Sequence, residues 1–236
     1  MPGIYTKKVA SNKALLSIAY FPPVEYFSII GKFSSVSSEA GPSVCGAVID
    51  GTENYQKQSY RNRCRILTAN GPEDLRFPIV HDGIRKITEV RVDYSTPWIS
   101  KTKTAIDSSY YSSPFFEYYR DELYAVMDAR PDTLWELDHS VIRFFCMKIG
   151  LPVPEAASGV KDVGCSPQLN DYRDRIHPKR EPVFRNREYW QVFREKYGFV
   201  PNLSIMDLLF NEGPESISYL DLKSVSFFFT AIVSPN

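Results

Sequence analysis

The chain has 236 residues, with 28 basic and 28 acidic side chains, a formal charge of zero and 14% aromatic residues. Neutrality excludes an open nucleic-acid-binding surface, which needs a cation for each phosphate it neutralises, and the aromatic content excludes a disordered chain. The longest uncharged apolar run, residues 227–233, falls far short of the roughly 20 residues that span a membrane as a helix.

Residues 15–21 read as a short buried strand stopped by Pro22-Pro23, and 24–33 as a helix with Val24, Phe27 and Ile30 at helical spacing. A second strand is expected over 44–49, ending at Asp50-Gly51. Between residues 59 and 80, Arg61, Arg63 and Arg65 alternate with Asn62, Cys64 and Ile66, the two-residue period of a strand. Asn70-Gly71-Pro72 marks a turn, with a returning strand over 75–80 and a further one over 87–92. Helices are expected from Trp98 to Ser112, from Ser113-Pro114 onward, and behind the capping-box pair Thr133/Glu136 up to Gly150. Residues 151–182 lack periodicity and read as a long surface excursion. Helices at 189–197 and 202–211 complete the chain. The fold class is α/β, a mixed sheet covered by helices, and its strand-Pro-helix opening is of the kind found in Rossmann-like layouts. Residues 1–236 are expected to form a single domain.

Lys7, Lys8 and Lys13 precede the apolar run 14–21, but it ends in prolines without a small-residue cleavage site, so a cytoplasmic location is expected. Cys45, Cys64, Cys146 and Cys165 form no CxxC pair, which leaves reduced thiols and no zinc or redox motif. GxGxxG, GKS/T, HExxH and GxSxG are all absent, so no cofactor and no metal are expected. The prolines at the first strand-to-helix turn lack N–H donors, so an anion must be held by side chains. Arg61 and Arg63 are the best candidates, on a strand face that is otherwise a solvated face with acidic partners. Cys64 is either activated by these arginines or a small buried residue alternating away from them. Among the three histidines, His177 has Arg173, Arg175, Lys179, Arg180 and Arg185 around it in sequence; these favour the neutral ring of a general base, against the plainer reading of a basic surface loop. Asn202 and Asp207 fit a site, and equally fit helix caps, Ser204 with Asp207 imitating a capping box.

Four blocks together resemble the WbqC-like family: residues 19–27 (AYFPPVEYF), 53–64 (ENYQKQSYRNRC), Ser109-Tyr110 with 113–116 (SPFF), and 201–211 (PNLSIMDLLFN). They span nearly the whole chain in the family's order. The resemblance implies a role in O-antigen-type surface-polysaccharide clusters, with amino-acid (glycyl) transfer onto a sugar as the suggested chemistry. Ile18-Ala19 and Glu25 depart from the family's usual Gln-Pro and Gly, and Thr102 stands where many relatives carry a His four residues after the tryptophan. The expectation is a transferase acting on a small phosphorylated, nucleotide-sugar or activated amino-acid ligand. Arg61 and Arg63 would hold phosphate, Asn62 or Asn202 would polarise the carbonyl, His177 or Asp207 would act as base, and Tyr20 and Tyr26 would line the pocket. The alternative is a non-catalytic anion- or sugar-binding protein or an interaction scaffold. Neither a nucleic-acid partner nor a membrane span is expected, and the sequence leaves the oligomeric state open.

Overall fold

A computed structural model describes residues 13–35, 44–157, 169–184, 186–220 and 222. The first strand, β1, covers Lys13–Leu16 and so stops earlier than the apolar run that announces it. Residues 17–21 leave the sheet, and Ile18 through Phe21 stay in the core: Tyr20 N donates to Tyr60 O at 2.8 Å, and the Tyr20 and Phe21 rings meet edge-on at 4.4 Å. Phe21 takes a φ of 42°, a left-handed conformation that costs an aromatic residue free energy and persists because burial fixes it. Helix α1 follows at Val24–Lys32, with residues Val24 through Ile30 all buried. A short antiparallel pair, β2 (Ser34–Ser35) with β3 (Val44–Cys45), leads into β4 (Ala47–Asp50), whose four residues are all buried.

Residues Tyr60–Asn62 form a single 3-10 turn rather than strand, because Ser59 caps it by accepting from Arg61 N. Strand β5 (Arg63–Thr68) then pairs antiparallel with β6 (Gly71–Arg76), so the hairpin closes at Ala69-Asn70 and returns four residues sooner than the sequence suggests. The predicted strand at 87–92 reduces to isolated bridges, Ile79 to Val92 and Arg91 to Thr133. Helices α2 (Trp98–Tyr110), α3 (Phe116–Asp128) and α4 (Leu134–Ile149) occur where expected. Both bonds of the Thr133/Glu136 capping box form, and Gly150 ends α4 in the left-handed conformation that glycine favours. Ser113 does not cap α3; its backbone carbonyl accepts from Phe116 N instead.

The excursion expected over 151–182 is corrected, for it carries β7 (Glu155–Ala157) and β8 (Leu169–Asp171), two strands of the main sheet. Three residues are too few to display a period, which is why the pattern hid them. The predicted helix at 189–197 shortens to one turn, α5 (Arg194–Tyr197), and α6 (Ile205–Glu212) continues into a 3-10 segment, Gly213–Tyr219.

The fold is α/β, with parallel and antiparallel pairings kept in separate sheets. The main sheet is parallel throughout in the order β7-β4-β1-β8. Ranked by appearance in the chain this is 3-2-1-4, so the order reverses between β1 and β8. In open parallel sheets such a reversal leaves a crevice outside the carboxyl ends of the two strands, where ligands bind. One large core joins α1, α4 and α6 to the sheet's inner face.

Candidate functional site

At the carboxyl ends of β1 and β8 a narrow cleft opens, lined by Ser17, Ile18 and Ala19 after β1, by Tyr26, Tyr60 and Arg61, and by Tyr172, Arg173 and Ile176 after β8. The cavity between them is about 10 Å³, room for about one water molecule and far below the roughly 300–1,000 Å³ of a typical small-molecule pocket.

Its wall is an ion-pair network. Arg61, 4% exposed, donates from Nε to Glu53 Oε1 (3.2 Å), from Nη1 to Gln56 (3.2 Å), and from Nη2 to Ser17 Oγ (2.9 Å) and Glu53 Oε2 (2.5 Å). Ser17 Oγ in turn donates to Glu53 Oε2 at 2.9 Å. Burial raises the Glu53 carboxyl above its ordinary value, and the bonds from Arg61 and Ser17 only partly offset that. Across the cleft, Arg173 bonds the buried Asp50 at 2.6 Å and Asp171 at 2.5 Å. Burial pushes Asp50 upward, but bonds from Thr52 and Arg173 outweigh it and hold that carboxyl below its usual value.

His177 stands at the rim. Its Nδ1 accepts from Lys179 N at 3.2 Å, so the neutral ring carries its proton on Nε2 and offers a donor. Burial first, then Arg180, Lys179, Arg61 and Arg63, depress its pKa and keep the ring neutral. Lys179 Nζ also reaches Gln58 Oε1 at 2.5 Å. The basic segments 57–65 and 173–180, more than a hundred residues apart in sequence, therefore meet at one edge.

Of the other candidates only Tyr26 joins the cleft. Tyr26 lines the cleft, its hydroxyl donating to Ser17 O at 2.9 Å. Tyr20 is wholly buried behind it, against Phe77 at 4.7 Å, and burial lifts its hydroxyl pKa far above the ordinary value. Asn62 Nδ2 donates to Phe77 O and braces the 3-10 turn. The expected face of three arginines is divided, because Arg61 lies on that turn. Arg63 and Arg65 share Asp74 at 3.4 and 2.9 Å, with Arg76 at 3.6 Å. Asn202 caps a different helix from the one expected: its Oδ1 accepts from Glu25 N at 3.0 Å, and its Nδ2 donates to Glu25 Oε1 at 2.9 Å. That serves α1, whose N-terminal Pro23 offers no capping side chain. Ser204 caps α6 through Met206 N, which leaves the Asp207 carboxylate turned inward to Tyr189 (2.7 Å) and Gln191 (2.8 Å), 1% exposed and away from the cleft. Cys64 and Cys146 are buried, and burial raises the Cys64 thiol well above its ordinary value, so it is not an activated nucleophile. Cys165 and Arg185 lie outside the described residues.

Sequence reasoning passed over Ser17, Asp50 and Glu53. Asp50 had a signal, since it closes a predicted strand where parallel sheets place their ligands; Ser17 was hidden by the overextended β1. Among the described residues no group of three or more His, Cys, Asp or Glu side chains is arranged to hold a metal ion, and no helix is long and apolar enough to cross a membrane.

The profile of the WbqC-like protein family matches residues 19–162. The chain belongs to the WbqC-like protein family. The matched stretch holds the Arg61 side of the cleft, while β8, Arg173 and His177 lie beyond it. Rv1507c, an uncharacterized protein of Mycobacterium tuberculosis, is 26% identical over 202 residues, covering 70% of this chain and 83% of that protein. No solved structure matches this WbqC-like chain.

Proposed function

We propose that this WbqC-like protein is a transferase of O-antigen-type surface-polysaccharide biosynthesis, which moves an acyl or aminoacyl (glycyl) group onto a sugar, and that its phosphorylated, nucleotide-sugar or activated amino-acid ligand binds at the β1–β8 cleft. The observation that carries this reading is the convergence of two remote basic segments over the point where the strand order reverses, as in Rossmann-like sheets. Because the cleft holds little more than a water molecule, the ligand lies across its mouth, with its anionic part over Lys179 and Arg180 on the rim. Donors aimed at the charge that develops during acyl transfer supply much of the rate enhancement. His177 Nε2–H is such a donor, a role that replaces the general base expected from its basic surroundings.

A second reading, a binding protein without turnover, is favoured by one observation: Arg61 and Arg173 are already committed to carboxylates. Thermal-shift measurement across nucleotide-sugars, sugar phosphates, amino acids and aminoacyl donors addresses both. A ligand at a hundred times its dissociation constant adds about 2.7 kcal/mol. The shift is expected with a phosphate-bearing ligand and is expected to shrink in His177→Ala and Lys179→Ala, neither of which unpairs a buried charge. Mass spectrometry of the incubated sugar then separates transfer from binding. The absence of a shift with any phosphate-bearing compound would remove the cleft proposal.

A further inference from the structure

Asp138 occupies a core position of α4, on the same face as Leu134, Leu137, Val141 and Ile142, and is 0% exposed. Neither of its carboxylate oxygens has a hydrogen-bond partner among the described residues. An ionised carboxylate buried in this way costs several kcal/mol, whereas a neutral acid avoids most of that cost. The ionisable groups that face it come from four places: Tyr20 from the loop after β1, Tyr55 from the segment after β4, Arg61 from the 3-10 turn packed on α4, and Cys64 from β5. Burial keeps Tyr20 and Cys64 uncharged, so Arg61 is the one cation that lowers the Asp138 pKa, and it does not outweigh burial, which holds this carboxyl well above its ordinary value.

Arg61 thus acts electrostatically on a second carboxyl, Asp138, from the turn that packs on α4, while its hydrogen bonds go to Glu53, Gln56 and Ser17. We propose that Asp138 is a proton-controlled latch: as a neutral acid it leaves Arg61 clamped to Glu53 and Ser17 in the cleft wall, and as a carboxylate it draws that guanidinium toward α4 and loosens the wall. The latch acts whatever ligand the cleft accepts, so it stands or falls separately from the transferase reading. A carboxyl whose folded pKa is raised contributes stability that is complete below its unfolded pKa and is lost as pH rises through the folded value. The wild-type chain therefore loses stability as pH rises above the ordinary carboxylate range by this route, and Asp138→Asn does not.

Isotope-edited infrared spectroscopy of the full chain across pH tests the latch. At neutral pH the wild type is expected to show a protonated-carboxyl band that Asp138→Asn lacks. Glu53→Gln, which releases Arg61, is expected to lose the band at the same pH, because Asp138 then ionises against the freed cation. If Glu53→Gln does not fold, Arg61→Gln serves instead and is expected to hold the band to higher pH than wild type. A wild type without the band overturns the proposal. So does a Glu53→Gln or Arg61→Gln chain in which the band titrates as in wild type. Thermal unfolding supplies the second measurement: the melting temperature of Asp138→Asn relative to wild type is expected to rise with pH, and parallel pH profiles count against the latch.

Discussion

Asp207 shows how one side chain can carry the marks of catalysis and serve structure. Burial raises its carboxyl to about 6, in spite of bonds from Tyr189 and Gln191 that favour the charged form. Against an ordinary value near 3.8, the sign is that of a raised acid: its contribution is whole below about pH 4 and is lost as pH rises through about 6. About two units correspond to roughly 3 kcal/mol as an upper figure. Asp207→Asn keeps an oxygen for both donors and removes the titration. Urea unfolding at a series of pH values should show the mutant gaining on wild type between about pH 4 and about pH 7, most steeply near about pH 5, midway between the two values. A constant difference across that range would show that Asp207 does not titrate there.

At the scale of elements, two helix starts carry very different loads. The Thr133/Glu136 capping box of α4 is exposed, so Thr133→Ala is expected to cost about 1 kcal/mol by chemical denaturation. The start of α1 is buried, and Asn202 and Glu25 form a clasp there that also takes Val183 N at 2.7 Å. Burial already raises the Glu25 carboxyl. Asn202→Ala removes two bonds to it and places alanine at a φ of 54°, so a loss of roughly 2–4 kcal/mol is expected, well above that of Thr133→Ala. Equal losses would mean that the clasp is not stressed. The clasp also joins α1 to residues nearly 180 positions later, a pairing to which local sequence gives no clue.

At the scale of the whole molecule, the parallel sheet brings together segments that share no local pattern. Ser17, Asp50, Glu53 and Arg173 gather because β1, β4 and β8 end at one edge. The neutral total charge of the chain conceals this, since the basic rim at 173–180 is offset by acids elsewhere. The cleft's own arginines are paired, so the free positive charge available to a ligand lies at the rim. Rim substitutions should therefore reduce ligand-induced thermal shifts while leaving the unliganded melting temperature within a few degrees of wild type, a comparison the His177→Ala and Lys179→Ala chains provide. A large fall in the unliganded value would show that the rim is structural.

The sequence by itself determined the α/β class, the places of α1 to α4 along the chain, the capping box and the family. Each rests on a repeat or motif within about a dozen residues, a range over which helical periodicity and capping chemistry are local physics. It also held a sign of Asp138, a carboxylate within an apolar stripe, which a surface reading of the acidic central helices passes over. Only the tertiary structure decided that residues 155–157 and 169–171 are sheet strands, that Arg61 belongs to a turn and to Glu53, and that Asn202 caps α1. Each of these depends on a partner far along the chain. Burial and pairing at such a distance are set by how the elements pack and not by the residues' own preferences.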